Sequence, residues 1–394
     1  MHFILFFLSV RFKILAYNCV FYHKRQILFK LDRRILTHFD YIQPILILPI
    51  IMLSFFLIYE ASARLAEKQF IYICVGFLTF SFFFLLPLRR FIWLIPVLYW
   101  INIALLLSVD LFGVENLGAK RWLAIPFTSF TIQPSELFKP AFILMLAYLI
   151  YQNPPPKEGY GVKDFIKLSF FILLPFLLIT QEPDLGTASI LLIVGFGVLF
   201  IIGVNYKIWL SIFLALALAS PLIYTHFLKP YQKQRIHDFL SEKPSHQVAQ
   251  SIIAIGSGGL SGKMQDEATQ THSKFLPIST SDFIFAYVVE RFGFFGALFL
   301  VLLYGLLIFH LLSLNYKFKE DYFTRVVINC VALFIFIYTA VNISMTVGFA
   351  PVVGVPMPFF SYGGSSFTTF MVFFGILQHL ITFRFFWTDK KLKI

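Results

Sequence analysis

Asp282 stands where the polar stretch Pro277-Ile278-Ser279-Thr280-Ser281 runs into the apolar run Phe283-Ile284-Phe285-Ala286. A carboxylate at such a junction has two readings. As a helix N-cap it accepts hydrogen bonds from the first N–H groups of the helix that follows. Against a cavity wall, desolvation raises its pKa and a nearby Lys or Arg lowers it. It can then act as a general base near neutral pH. The local residues leave these two readings even.

Three further clusters combine polar groups with irregular composition. The first is Gly118-Ala119-Lys120-Arg121-Trp122-Leu123, then Gln133-Pro134-Ser135-Glu136, with Lys139 one turn into an apolar run. Pro134-Ser135-Glu136 suits a helix start, and Trp122 suits an interfacial anchor or a site wall. A cation inside a span opposes insertion by roughly 2.5–3.5 kcal/mol. Snorkelling relieves part of this, but an anion held by Lys139 in a cavity is the favoured reading. The second cluster is Gln181-Glu182-Pro183-Asp184-Leu185-Gly186-Thr187. Asp184 can cap the next helix and Glu182 can pair with Lys139 or Arg121; structural pairing and substrate contact stay equally open. The third, 351–366, carries no formal charge. Its Pro, Gly and Ser residues, Ser361 and Ser365 among them, suit a packing element before a site wall.

Two apparent motifs fail on spacing. Gly256-Ser257-Gly258-Gly259-Leu260-Ser261-Gly262-Lys263 has Ser257 where a phosphate loop needs Gly, and Met264 where it needs Ser or Thr. Glycine-permitted turns in a re-entrant loop fit better. His226, His237, His246 and His272 lack zinc-ligand spacing, and no metal site is expected.

Composition dictates the elements that must position these residues. The 394 residues are 59% hydrophobic, 19% aromatic and 13% charged, with mean hydropathy +0.80. A soluble domain is about 45–50% apolar and about 25% charged. Disorder, a disulfide scaffold and a water-soluble enzyme are excluded. Apolar runs near 20 residues predict an all-α polytopic membrane protein, and their continuity excludes a transmembrane barrel. Ten spans are expected, near 41–59, 69–87, 91–112, 135–151, 164–180, 185–203, 207–226, 282–313, 323–347 and 364–384. They divide the chain into an N-terminal segment 1–40, a membrane domain 41–384 with a long loop 227–281, and a tail 385–394. Residues 1–30 are apolar but broken by Arg11 and Lys13, without a small-residue cleavage site. They read as an interfacial helix or a misassigned start rather than a signal peptide.

The loops alternate in charge. Of the 32 cations, twenty fall on the side of the termini and ten on the other, with Lys139 and Arg291 inside spans. The positive-inside rule places both termini in the cytoplasm. Cations set between apolar spans, without a basic repeat, argue against nucleic acid as a partner. The irregular segments 113–136, 181–187, 227–282 and 348–366 all fall on the outer side. Such backbone is tolerated at membrane depth only where protein or a water-filled cavity covers it. An outward-facing cavity follows as the expected site.

Six motifs in order now resemble one family: G-A-K-R-W-L, Q-P-S-E-L-x-K, E-P-D-L-G-T, A-I-G-S-G-G-L-x-G-K, F-L-P-x-x-x-x-D-F-I-F-A and P-F-x-S-Y-G-G-S-S. They are similar to the SEDS proteins (shape, elongation, division and sporulation), the polytopic peptidoglycan glycosyltransferases of bacteria. The likeness runs from about Asp32 to Arg384. Tyr231-Gln232, Arg235-Ile236, Phe239-Leu240 and Val353-Gly354-Val355-Pro356-Met357-Pro358 lean to the elongation-type rather than the division-type branch. The resemblance implies ten spans and an outward-opening cavity in the bacterial cytoplasmic (inner) membrane. It implies polymerisation of lipid II into glycan strands during elongation and cell-shape maintenance. The family's essential acid maps onto Asp282, its motif Trp onto Trp122 and its motif Lys onto Lys139. Arg121, Glu182, Asp184, Ser361 and Ser365 join Trp122 and Lys139 as candidate substrate-binding residues.

An α-linked donor on undecaprenyl diphosphate giving a β-linked product implies one inverting displacement. That needs one base, Asp282, and cations for the leaving diphosphate, Lys139 and Arg121. No obligatory cofactor is visible; a divalent cation on the diphosphate is compatible, without a protein ligand set. Expected partners are lipid II, the growing lipid-linked glycan, a class B penicillin-binding transpeptidase and other elongation-complex proteins. A lipid II transporter and a non-catalytic scaffold are the rival classes. There are departures. Ile278, Ser279, Thr280 and Ser281 replace the Glu, Arg, His and Thr of many relatives. Glu290-Arg291 stands where many have two acids, and 263–274 is unusually polar.

The topology is testable by reporter fusions. Fusions at Lys390 and within 157–163 should report cytoplasm and one at Gln265 should report the outside. A cytoplasmic signal at Gln265 overturns the span assignment.

Overall fold

In the computed structural model, residues 33–116, 119–124, 131–182, 184–227, 245–268 and 279–384 are described, together with Lys233 and Phe239. Residues 1–30, the tail 385–394 and the motif residues Tyr231, Gln232, Arg235, Pro277 and Ile278 lie outside them. The chain divides into two units, Met1–Phe39 and Asp40–Ile394. Among its described residues the first holds one short helix, Arg33–His38.

Among the described residues of the second unit, ten helices of 17 residues or more lie near the expected apolar runs. They are α1 (Ile42–Ala61), α2 (Ala63–Leu85), α3 (Ile95–Phe112), α4 (Pro134–Gln152), α5 (Val162–Gln181), α6 (Leu185–Ile202) and α7 (Tyr206–Leu222). After α8 (His246–Ser257) come α9 (Ile284–Ser313), α10 (Tyr322–Thr346) and α11 (Gly364–Thr382). Seven of these regions are long and apolar enough to cross a membrane. Of the other three long helices, α4 and α5 carry charged residues and α7 has only 17 residues. The segment after α3 adds a small antiparallel sheet in the order β1 (Val114–Asn116), β2 (Ala119–Ala124), β3 (Thr131–Ile132). The long loop is also not wholly irregular. Its helix α8 buries Val248, Ser251 and Ala254, and the Ser251 hydroxyl donates to the Thr346 carbonyl at 2.8 Å.

Burial separates inner from outer spans. The apolar windows of α10 and α11 are 72% and 78% buried, whereas that of α2 is 11% buried. Thus α10 and α11 form the centre, and α2 lies at the margin against α11. Its Gly76 leaves room for Phe367; a Cβ there would come within 2.4 Å of that ring.

One break matters for the site. Gly293 has φ +65°, which splits α9 after Phe292. The freed N–H groups of Phe294 and Phe295 donate to the Gly259 and Leu260 carbonyls at 2.9 and 3.2 Å. The Lys263 N–H donates back to the Glu290 carbonyl at 3.0 Å. A Cβ on Gly258 or Gly262 would lie 2.0 or 2.2 Å from the Val289 or Arg291 carbonyl oxygen. The glycine-rich motif is therefore a backbone-to-backbone junction, as the failed phosphate-loop spacing suggested. Arg291 clamps it. Its Nε and Nη2 donate to Glu60 Oε2 and Oε1 at 2.9 and 2.6 Å, and its Nη1 donates to the Lys263 carbonyl. The Glu290-Arg291 departure thus ties the first half of α9 to the α1–α2 corner.

Gly293 has φ +65° with ψ −161°, a backbone region open essentially to glycine, so Gly293→Ala adds strain of about 1–3 kcal/mol and places a Cβ 2.4 Å from the Gly262 nitrogen. It should lower stability by more than about 2 kcal/mol, read as a lower melting temperature in detergent. Gly305→Ala meets nothing within 4 Å. It should be neutral or stabilising by up to about 1 kcal/mol.

Candidate active site

Three consecutive carbonyls hold Asp282 in place. The Tyr362 N–H donates to the Thr280 carbonyl at 2.8 Å. The Ser361 hydroxyl donates to the Ser281 carbonyl at 2.6 Å, and the Asn342 Nδ2 donates to the Asp282 carbonyl at 2.9 Å. The donors come from α10 and from the irregular segment before α11, so residues distant in sequence fix the backbone of the acid. Of its carboxylate, Oδ1 accepts from the Ser281 hydroxyl at 2.9 Å. Oδ2 accepts no hydrogen bond among the described residues and lies beside Gly354, where a Cβ would come within 3.5 Å. Burial pushes the Asp282 carboxyl above the ordinary aspartate range, and the Ser281 hydroxyl pulls it part of the way back. Helix α9 starts at Ile284, and its N-cap position is Phe283, without a side-chain cap bond. The carboxylate is therefore not engaged in capping that helix.

The segment 351–363 is itself fastened by side chains from three helices. Ser54 of α1 donates to the Phe360 carbonyl, Tyr304 of α9 to the Pro358 carbonyl at 2.5 Å, and Asn342 to the Val355 carbonyl at 2.7 Å. Phe359 takes φ +62°, unusual for a bulky residue. Its ring packs against Phe367, Phe370 and Phe374. The Ser361 hydroxyl also accepts from the Met357 N–H at 2.8 Å, which places this candidate in the scaffold of the segment. Ser365, in the first turn of α11, is exposed.

The other candidate segments adjoin this one. Gly186 packs on the Val353 carbonyl, where a Cβ would come within 2.7 Å. Two residues earlier, Asp184 caps α6 by accepting from the Thr187 N–H at 3.2 Å. Its Oδ2 accepts from Gln133 Nε2 at 3.1 Å, and its Oδ1 lies 3.9 Å from Arg121 Nη1. Arg121 Nε donates to the Glu182 carbonyl at 3.1 Å. Glu182 is buried, whereas the Arg121 side chain is 29% exposed. Trp122 pairs with Val114 across β1–β2 and is half-buried. Strand alternation turns it to the face opposite Arg121. The structure thus joins all four irregular segments, from β2 through Asp184 and Val353 to Asp282.

Lys139 lies deeper. It is 2% exposed, and its Nζ sits 2.5 Å from Glu136 Oε1 and 5.1 Å from the centre of the Tyr338 ring. Glu136 Oε2 accepts from the Thr369 hydroxyl at 3.1 Å. Tyr338 and Asn342 are one turn apart on α10, about 6 Å along its axis. One helix face therefore touches both the Lys139 pair and the Asp282 loop. Among the described residues no group of three or more His, Cys, Asp or Glu side chains is placed to hold a metal ion.

A sequence profile described as cell cycle protein, FtsW/RodA/SpoVE, matches residues 29–384. The chain belongs to the FtsW/RodA/SpoVE family. A relative in this family, the peptidoglycan glycosyltransferase MrdB of Helicobacter pylori, is 54% identical over 90% of this chain and 93% of its own. A solved structure described as structural coordination of polymerization and crosslinking by a peptidoglycan synthase complex has TM-score 0.75 at 26% identity. It covers 87% of this chain and 97% of that one. The crystal structure of the rod shape determining protein RodA of Thermus thermophilus has TM-score 0.65 at 26% identity, over 87% and 96% of the two chains. With seven spanning-type helices and these likenesses, this FtsW/RodA/SpoVE member is a multi-pass membrane protein.

Sequence reasoning missed Asn342, Tyr338 and the pairing of Lys139 with Glu136. A signal was present for Asn342: an amide inside an apolar span must find partners. Glu136 is on the face of Lys139 by its three-residue spacing.

The Lys139 pair yields a prediction. Lys139→Met leaves the mostly buried Glu136 without its cation and should destabilise by about 2–4 kcal/mol. Adding Glu136→Gln removes the stranded charge and should restore most of the melting temperature in detergent. Equal losses in the single and double variants would show that the ion pair does not govern stability here.

Proposed function

We propose that the Asp282 carboxylate is the general base of glycan polymerisation and that the junction of the four irregular segments receives lipid II. The chain is a peptidoglycan glycosyltransferase of the elongation type, acting in cell-shape maintenance. The observation that carries the site reading is the fixed, partly desolvated Asp282 whose Oδ2 is left without a hydrogen bond among the described residues. A base must be held in place, poorly solvated and open on one lone pair.

The reaction follows from the chemistry of the substrates. Asp282 takes the proton from the acceptor 4-hydroxyl as its oxygen attacks C1 of the donor sugar. The C1–O bond to diphosphate breaks on the opposite side, so the anomeric centre inverts. Undecaprenyl diphosphate leaves with the electron pair and needs cations rather than an acid. Arg121, partly exposed, meets the diphosphate, whereas the charge of the buried Lys139 is already met by Glu136. Trp122 and Ser365 offer contact surface, and Glu182 and Asp184 orient Arg121. Any divalent cation arrives with the diphosphate. The prenyl chains explain why the site is set among spans.

The strands made here need crosslinking as they emerge. We therefore take a class B penicillin-binding transpeptidase as the partner, in line with the synthase complex that the chain is similar to. The cation bias supports cytoplasmic termini and a site facing outward.

Asp282→Asn is nearly isosteric and keeps the backbone bonds. It should insert normally and lose strand polymerisation by at least about 10²-fold, assayed by gel separation of glycan made from purified lipid II. In the unaltered protein the base must be deprotonated. Because burial raises its pKa, the acid limb of the rate profile should lie above that of an exposed aspartate. Full activity in Asp282→Asn would sink the assignment.

A further inference from the structure

We propose that Asn342 is a positioning residue for the glycosyl transfer, setting the Asp282 carboxylate against Gly354 by holding two carbonyls with one amide nitrogen. This rests on the reading of Asp282 as the base. Asn342 is fully buried in α10. Its Nδ2 donates to the Asp282 carbonyl at 2.9 Å and to the Val355 carbonyl at 2.7 Å. Two accepting carbonyls fix which end of the amide faces them. The Asn342 Oδ1 is then buried without a hydrogen-bond partner among the described residues. A buried acceptor left so destabilises a fold. The two bonds to carbonyls offset that cost only in part, and they join the Asp282 loop to the segment before α11.

What the amide does achieve is spacing. Asp282 and Val355 belong to segments more than seventy residues apart, and Gly354 precedes Val355. One nitrogen bridging the two carbonyls sets the gap between the Asp282 Oδ2 and the Gly354 backbone, the side on which the acceptor hydroxyl approaches. Thr280 and Ser281 are tied separately, to Tyr362 and Ser361. Without Asn342 the loop stays attached, but its last residue, the base, is released. A displacement of about 1 Å at a reacting group lowers a rate by about 10²-fold.

Asn342→Leu removes both hydrogen bonds at similar volume, and Asn342→Asp keeps the shape with the amide donor lost. Polymerisation by purified protein is measured over a range of lipid II concentrations. For both variants kcat should fall about 10- to 100-fold, with KM changed by less than about threefold. Asn342→Leu combined with Asp282→Asn should be no slower than Asp282→Asn alone, because the amide acts through the carboxylate. An unchanged kcat, a change confined to KM, or losses that multiply in the combined variant would each overturn the proposal. Should Asn342→Leu fail to insert, Asn342→Asp decides; failure of both makes Asn342 a folding residue and overturns it as well. An inactive Asp282→Asn beside fully active Asn342 variants removes the positioning role and leaves the base. An active Asp282→Asn removes the base reading itself.

Discussion

Backbone that leaves the helix inside an apolar protein must have its N–H and C=O groups met by protein, because hydrocarbon offers nothing in return. Here that constraint decides where the irregular segments lie. The break at Gly293 exposes two N–H groups, and the Gly258–Lys263 loop closes over them with its carbonyls. The segment 351–363 runs without regular structure, and Ser54, Tyr304 and Asn342 donate to its carbonyls from three helices. The segment then donates in turn to residues 280 and 281. Irregular pieces satisfy one another, so they collect at one place, and the candidate acid stands in their midst.

The same logic sorts the charges. Cations in or beside the helices meet carboxylates: Arg291 with Glu60, Lys139 with Glu136, and Arg89 with Asp321, which also caps α10 through the Thr324 N–H at 3.2 Å. A buried pair of this kind adds little net stability, but losing one partner strands the other. Asp282 differs. Its carboxylate has one hydroxyl donor and no cation within ion-pair distance among the described residues. It therefore keeps a raised pKa, which suits proton transfer. Arg121 is braced by the Glu182 carbonyl and Asp184 and is partly exposed. Rigid support with one face left open is what a site for a charged, membrane-anchored substrate requires.

Much of this was legible in the residues. Long apolar runs have a single solution in a bilayer, so the long helices among the described residues stand close to where composition placed them, seven of them long and apolar enough to cross a membrane. The glycine-rich stretch reads as turns because its spacing fails as a phosphate cradle, and backbone-to-backbone contact at Gly258 and Gly262 gives the reason. The small sheet around Arg121 and Trp122 was not visible, since strands of two to six residues carry too little periodicity. Helix α8 was likewise hidden in a loop read as irregular.

For Asp282 the sequence alone left cap and base even, since both begin with an acid before an apolar run. Its likeness to a family favoured the base, and the tertiary structure shows a carboxylate that does not cap α9. Lys139 read as a cation facing a cavity; the fold buries it against Glu136 and Tyr338. Ser361 read as a packing element before a site wall, and the fold uses its hydroxyl on two backbone groups. Sequence determined what had to be helical, what could not be lipid-facing and which residue types were available, because these depend on local apolarity and chain geometry. Only the tertiary structure decided which polar groups hold one another and which stay open. Hydrogen-bond partners such as Asn342 and Asp282, sixty residues apart, are chosen by packing rather than by spacing.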